Sequence, residues 1–478
     1  MLRQSLPLGI LGIALLGFWL VPEPTASPAA SPREAKGDGV ADDTAAIQKA
    51  VDAGGLIHLP RGTFKITKTI LVDLDRVGFT AITGGMVARV VMAGEGPAFK
   101  FVGTHGGTAD PPTMRPNVWK NQRAPSVDGL EIVGDHDAAD GIEATGTMQL
   151  TLTRVVVRHC RHAIHLTERN RNVLVSECHL YDNRGIGLFL DNVNLHQINV
   201  TGSHISYNAD GGVVVKAGQV RNLHITGCDI EANQGEGRPP TANVLVDSAG
   251  GSNAEVAITG CTIQHSRKAA GAANIRIKGP STPVKDIPEL RDGHVTITGN
   301  IMSDTRVGIH LQHVRGVTIM GNTCWTAMEH TLLVENSSNI VVGPNNFDRN
   351  PRYNSEEKLA ADAILFRDCQ DCTISGLQVH GVRQAPAGIV LEKCERFNLT
   401  GLTILDCENC GLMLKDVRNS RVSDCLIRDD RPLPNIIVKQ FSIIASGGGG
   451  NMIVDNSLGH PSEILAGVGL VERNYTPK

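Results

Sequence analysis

Short runs in which apolar and polar residues alternate recur along most of this chain. INVTGSHISYN (198–208), LHITGCDIEAN (223–233), VAITGCTIQHS (256–266), VTITGNIMSDT (295–305) and VTIMGNTCWTA (317–327) are copies of one motif. NVLVSECHLYDN (172–183), TISGLQVHGV (373–382), NLTGLTILDC (398–407) and RVSDCLIRDD (421–430) belong to the same set. Uninterrupted copies lie 22 to 25 residues apart, and insertions stretch two spacings to 33 and 39. Each unit reads apolar-x-apolar, a small-residue bend, then x-apolar and a polar turn. A further strand follows: GIGLFL (185–190), GGVVVK (211–216), NIRIKG (274–279), GIHLQ (308–312), GIVLE (388–392), GLMLK (411–415). Alternation over three to five residues is a β period, and the repeats sustain no helical one.

Strands this short cannot bury their inner side chains alone. Stacking successive coils at ~4.8 Å buries them and pairs each strand with its counterpart one coil on. The pattern therefore predicts an all-β fold, a single-stranded right-handed parallel β-helix, with about twelve coils from ~127 to ~470. The alternation points Val200, Ile205, Val213, Val215, Ile225, Cys228, Ile230, Ile258, Cys261 and Ile263 inward. Asn183, Asn208 and Asn233 recur at one turn, where stacked amides would bond their neighbours.

The N-terminus reads differently. Arg3, an apolar run from Leu6 to Val21 and the small-residue stretch PEPTASPAASP have the layout of a secretory signal peptide or an uncleaved signal anchor over 1–25, with a linker over 26–35. The repeat domain then spans 36–478, with an N-terminal cap over 36–71. In that cap Asp42, Asp43 and Thr44 start a helix reaching about Ala53, and Gly54-Gly55 ends it. Its apolar face (Ile47, Ala50, Val51) would cover the open end of the solenoid.

Composition narrows the function. Net charge is −4 at pH 7, so the chain lacks the basic excess of a nucleic-acid binder. Aromatics are 4%, which fits a core of stacked aliphatic rows rather than one built on large rings. The only membrane contact the sequence suggests is the N-terminal anchor, and the expected location is secreted, periplasmic or cell-envelope.

The block KGDGVADDTAAIQKAVDAGGLIHLPRGTFKITKTIL (36–71) resembles the opening of the pectate-lyase superfamily, which includes polygalacturonase-like and epimerase-like β-helix proteins. The resemblance implies this fold and, commonly, action on a carbohydrate polymer. It also implies that the substrate cleft faces the strand after the Asn turn. Outward positions there are Glu143, His165, Phe189, Lys216, Asp247, Arg276, Lys278, His310, Gln312, Arg367, Glu392 and Lys415. Lys216, Asp247, Arg276, Lys278, His310 and Gln312 fall within neighbouring coils and form the expected catalytic patch, with His165, Phe189 and Gln312 as substrate contacts. Cations with a carboxylate and a histidine can neutralise a uronate and supply a base, as β-elimination or epimerisation needs. Lys216 or His310 is the expected base, and Arg276 and Lys278 the carboxylate holders.

Polygalacturonases carry an Asp pair, a His-Gly and an R-I-K on successive coils. Here Arg276 and Lys278 match the last, and Asp210 matches one Asp, but Gly211 and Ala242 stand where the second Asp and the His belong. Hydrolysis would then require Asp210 to work with Asp247. The expectation is thus lyase or epimerase chemistry on an acidic polysaccharide, with a non-catalytic carbohydrate-binding solenoid and a polygalacturonase-type hydrolase as alternatives. No cofactor is required by this reading. Calcium is the one ion left open, at DHDAAD (135–140), which lacks the spacing of a known loop. A His179, His204 and Asp229 column, with Tyr181, Ser206 and Glu231 beside it, is read as a polar ladder rather than a metal site. The eleven cysteines, including Cys369-x-x-Cys372 and Cys407-x-x-Cys410, are read as buried ladders, ahead of a disulfide near Cys369 and Cys394 or a zinc frame.

Overall fold

A computed structural model describes residues 32–108, 110–238, 240–280, 292–350, 352, 359–431 and 440–476. The signal-like segment 1–25 and the linker up to residue 31 lie outside the described residues, as do most of the loop 279–294 and part of the loop 349–362.

The chain winds into a right-handed parallel β-helix with three sheets, here called A, B and C. Coil-to-coil pairing is parallel throughout, as a crossover of this hand requires. One coil shows the design. His179–Tyr181 lies in sheet C, and a turn at Asp182 and Asn183 leads into Ile186–Thr201. The first part of that long strand lies in sheet A, its last part in sheet B, and a bend at Gly202 returns the chain to His204–Ser206 in sheet C. Stacked strands begin well before residue 127. Ile70–Asp73 pairs with Gly96–Val102, and Gly96–Val102 with Ala139–Thr145.

The interior is one continuous aliphatic core running along the axis. Every residue assigned inward from the alternation is buried, from Val200 and Ile205 to Cys261 and Ile263. All eleven cysteines are buried free thiols. Cys178, Cys228 and Cys261 occupy equivalent bends, with Ser203 filling the same position between the first two and donating nothing to a disulfide.

The small-residue bend of the repeat has a backbone cause. Gly202, Gly227 and Gly260 sit at φ 52°, 60° and 63°, the left-handed region that glycine enters without a Cβ clash. The asparagine ladder also forms. Asn183 Nδ2 donates to Asn208 Oδ1 at 2.8 Å, Asn208 Nδ2 to Asn233 Oδ1 at 2.7 Å, and Asn233 Nδ2 to Asn243 Oδ1 at 2.9 Å. The left-handed residue of that turn is not the asparagine, however, but its predecessor: Asp182, Tyr207 and Ala232. A second ladder, Asn300 to Asn322 to Asn345, lines the sheet B to sheet C bend.

Helix α1 (Thr44–Asp52) covers the N-terminal end, with Ile47, Ala50 and Val51 buried against the core. Its start differs from the expectation. The Asp43 side chain caps nothing in the helix, because its carboxylate accepts from the backbone N–H groups of Lys36 and Gly37 and so pins the incoming strand. Asp42 supplies the bond to the first turn, accepting from Thr44 N and from the hydroxyls of Thr44 and Thr67.

Candidate active site

The outer face of sheet A carries two parallel columns of side chains, one residue of each per coil. The alternation that sends Ile275 and Ile277 inward sends Arg276 and Lys278 outward, and coil stacking multiplies that choice along the axis. The first column runs Glu143, His165, Phe189, Val214, Leu245, Arg276, His310, Leu333. The second runs Asp191, Lys216, Asp247, Lys278, Gln312, Glu335, Arg367, Glu392, Lys415. Signs alternate along most of the second column, so it offers paired charges rather than an unbroken cationic track.

Six of the expected site residues do come together. Lys216 registers with Asp247, Asp247 with Lys278, Arg276 with His310, and Lys278 with Gln312. Their partners assign them different roles. Lys278 Nζ lies 3.3 Å from Asp247 Oδ2, and Asp247 Oδ1 accepts from Ala249 N, so both oxygens of Asp247 are engaged. Lys216 is exposed and forms no ion pair among the described residues, although carboxylates stand on the coils either side of it.

Arg276 is only 6% exposed. It donates to the carbonyl oxygens of Gly271 and Thr241, and its Nε donates to His310 Nδ1 at 3.1 Å. An arginine Nε–H is always a donor, so a neutral His310 carries its proton on Nε2. That nitrogen lies 3.2 Å from Glu335 Oε2. Burial and the Arg276 charge hold His310 below its usual range. Both ring nitrogens are thus committed. This geometry lends no support to His310 as base, and the burial of Arg276 lends none to its role as carboxylate holder.

Phe189 lies three coils, and His165 four coils, toward the N-terminus of Arg276. Their rings stack at 5.1 Å with an interplanar angle of 6°. His165 Nε2 lies 3.3 Å from Asp191 Oδ2, while Asp191 Oδ1 has no hydrogen-bond partner among the described residues. His162 packs against both rings, and burial, the largest cause, pushes its pKa down to about 4. Asp191 and Glu335 were missed from the sequence. Both fall in line with residues already singled out, Asp191 two places after Phe189 and Glu335 on the coil between Gln312 and Arg367.

Asp210 does not join the group. It lies in the turn before the sheet A strand, where Thr241 Oγ1 bonds its carbonyl and Arg238 approaches its carboxylate at 3.5 Å. Asp247 is at the far end of the neighbouring strand, six positions on from Thr241, so the two carboxylates are ~15–20 Å apart at 3.3 Å per residue. An inverting pair needs about 6.5–9.5 Å, which removes the Asp210 and Asp247 pairing.

On sheet C, His179, His204 and Asp229 do form a column, with the histidine rings 5.0 Å apart and His204 Nδ1 3.9 Å from Asp229 Oδ2. In DHDAAD, Asp140 is taken up by Arg161 and by His162 N. Among the described residues no group of three or more His, Cys, Asp or Glu is arranged to hold a metal ion. No described helix is long and apolar enough to cross a membrane.

Three family models match successive parts of the chain. Residues 33–96 match "Rhamnogalacturonase A/epimerase, pectate lyase-like", 119–263 match "Right handed beta helix region", and 252–464 match "Periplasmic copper-binding protein (NosD)". No curated protein matches the sequence. Several solved structures are similar over most of the chain. The mannuronan C-5 epimerase AlgE4 A-module of Azotobacter vinelandii is 15% identical, over 94% of this chain and all of its own, with a TM-score of 0.41. The catalytic unit of a GH87 α-1,3-glucanase from Streptomyces thermodiastaticus is 12% identical over 89% of this chain and 69% of its own, with a TM-score of 0.41. Gene product 12 of bacteriophage phi29 is 13% identical over 94% of this chain and 55% of its own, with a TM-score of 0.50. The parallel three-sheet coil, its N-terminal cap and the three model matches together show a right-handed parallel β-helix that is similar to the pectate-lyase-like proteins.

Proposed function

We propose that this is an exported enzyme that binds an acidic, uronate-containing polysaccharide across sheet A and acts on it by lyase or epimerase chemistry. The observation that carries the reading is the run Asp191, Lys216, Asp247, Lys278 on consecutive coils, with Lys216 exposed and without an ion pair among the described residues. An ammonium flanked by carboxylates is suited to hold a sugar carboxylate, and neutralising that carboxylate acidifies the neighbouring C–H. Asp191 is the proton acceptor, through the oxygen that His165 leaves open. His165 is a positioning residue, held flat by Phe189. Asp247 and Lys278 fix the far side of the subsite, and Arg276, His310 and Glu335 brace the sheet beneath it.

The family descriptions support this reading at the level of superfamily, and the NosD description, which names a periplasmic protein, agrees with the signal-like N-terminus. Hydrolysis is the second reading. Asp191 and Asp247 lie two coils apart, which is ~9.6 Å by strand spacing and close to the separation of an inverting pair. Incubation with polygalacturonate and with alginate separates the two. A rise in ultraviolet absorbance marks an unsaturated uronate and elimination. New reducing ends without it mark hydrolysis, and a changed C-5 configuration by proton NMR marks epimerisation. Absence of turnover on both polymers would defeat the reading.

A further inference from the structure

The turn that leads from sheet C into sheet A carries a left-handed residue on each coil, and the described ones around the site are Asp182, Tyr207, Ala232, His265 and Asp304. Most are small or acidic, as the conformation favours. Tyr207 and His265 depart from that pattern. Both hold a ring in the left-handed region, at φ 55° and 60°, and neither gains burial in return, Tyr207 being 60% exposed. Strain without packing needs another explanation. Aromatic residues are also scarce in this chain, so an exposed one at a cavity is informative.

The neighbours of Tyr207 supply the explanation. Ala232 occupies the equivalent position on the next coil and His265 on the one after, as the bonds from Tyr207 N to Glu231 O and from Ala232 N to Gln264 O establish. The alanine leaves a gap between the two rings. Two coil steps set the two positions ~9–10 Å apart, enough for a pyranose chair between them. The gap opens into a cavity of about 370 Å³, also lined by Gln234, Glu236, Arg267 and Lys268. His265 is held in place by Glu231 on one side (3.7 Å) and Asp304 on the other (3.4 Å). Glu236 and Lys268 are exposed at the rim, one accepting and one donating, a combination that matches the vicinal hydroxyls of a sugar.

We infer that this slot is a second carbohydrate subsite, which holds one pyranose unit of a glycan chain between Tyr207 and His265. It stands at the entrance to the sheet A strands that carry Lys216, Asp247 and Arg276, so a chain seated there leads onto the proposed reaction centre. The inference rests on the glycan-processing reading and adds a site outside sheet A. Its occupant is recognised through ring stacking and hydroxyl contacts, so it does not require a uronate. The dissociation constants of oligogalacturonate and of the uncharged laminari-oligosaccharides, measured by calorimetry, test it with two variants. Tyr207→Asn removes the ring and suits the left-handed backbone, so it folds at least as well as the wild type. It weakens binding of both probes about five- to ten-fold. Lys216→Met abolishes turnover while the slot still binds. Binding that Tyr207→Asn leaves unchanged, with Lys216→Met inactive, overturns the slot and spares the reaction centre. Failure of the wild type to bind either probe removes the glycan reading and the slot together.

Discussion

Replacing Arg276 by methionine separates bracing from substrate binding. The guanidinium is almost fully buried and satisfies three acceptors: the Gly271 carbonyl, the Thr241 carbonyl and His310 Nδ1. Methionine matches much of the aliphatic stem but leaves those acceptors without a donor. Each buried group left unpaired costs about 1–3 kcal/mol, and some recover a partner by relaxation, so a net loss of roughly 3–5 kcal/mol is expected. Removing the Arg276 charge also lets the His310 pKa rise toward its ordinary value, because that charge is one cause of its depression. Urea denaturation followed by circular dichroism measures the first effect, and NMR titration of the imidazole the second. Polysaccharide affinity, measured on the fraction that remains folded, should change less than three-fold. A variant of wild-type stability that binds a uronate polymer ten-fold more weakly or worse would refute this assignment and return Arg276 to the role of carboxylate holder.

Lys216→Met and Asp191→Asn should each lower turnover at least a hundred-fold, with denaturation midpoints nearly unchanged, since Lys216 is exposed and Asp191 half-buried on the outer face and neither head group supports the core. Asn208→Ala should destabilise by about 2–4 kcal/mol, because it removes the bonds to Asn233, Asn183 and the Leu180 carbonyl inside a fully buried ladder. Denaturation of the variant beside the wild type checks this. Stability should also fall as pH drops from 6.5 toward about 4. His105 and His162 both have folded pKa values near 4, chiefly through burial, so the unfolded chain binds their protons first. Each can contribute up to roughly 3 kcal/mol at the bottom of that window, and His105→Phe should flatten the profile measured by denaturation at several pH values. Finally, a thiol reagent should label no cysteine in the native protein and all eleven after unfolding in the absence of reductant.

The solenoid was legible because its cause is periodic. A bend that needs left-handed backbone writes glycine into ITG at 225–227 and 258–260, and a core on one side of each strand writes alternation around it. The asparagine ladder followed from the same period. The site was legible only to the level of which residues share a face. Alternation gives the parity of Arg276 and His310, but not that Arg276 turns down onto the Gly271 and Thr241 carbonyls, which depends on where the preceding loop puts its backbone. Asp210 misled for a related reason. Motif matching placed it near Asp247 by coil number, whereas position along the strand separates them. Asp43 resembled a helix cap in sequence, but the nearby Lys36 and Gly37 N–H groups compete for its carboxylate, and only the fold reveals them.

Because every member of the Asp191, Lys216, Asp247, Lys278 row comes from its own coil, whole-coil insertion or loss acts on the site like changing one tooth of a comb. Excising the 25 residues of a single coil such as 186–210 would let the surrounding sheets re-close, yet bring different partners face to face across the seam. Homologues with more or fewer turns could therefore share a common scaffold while presenting different charge spellings to a substrate.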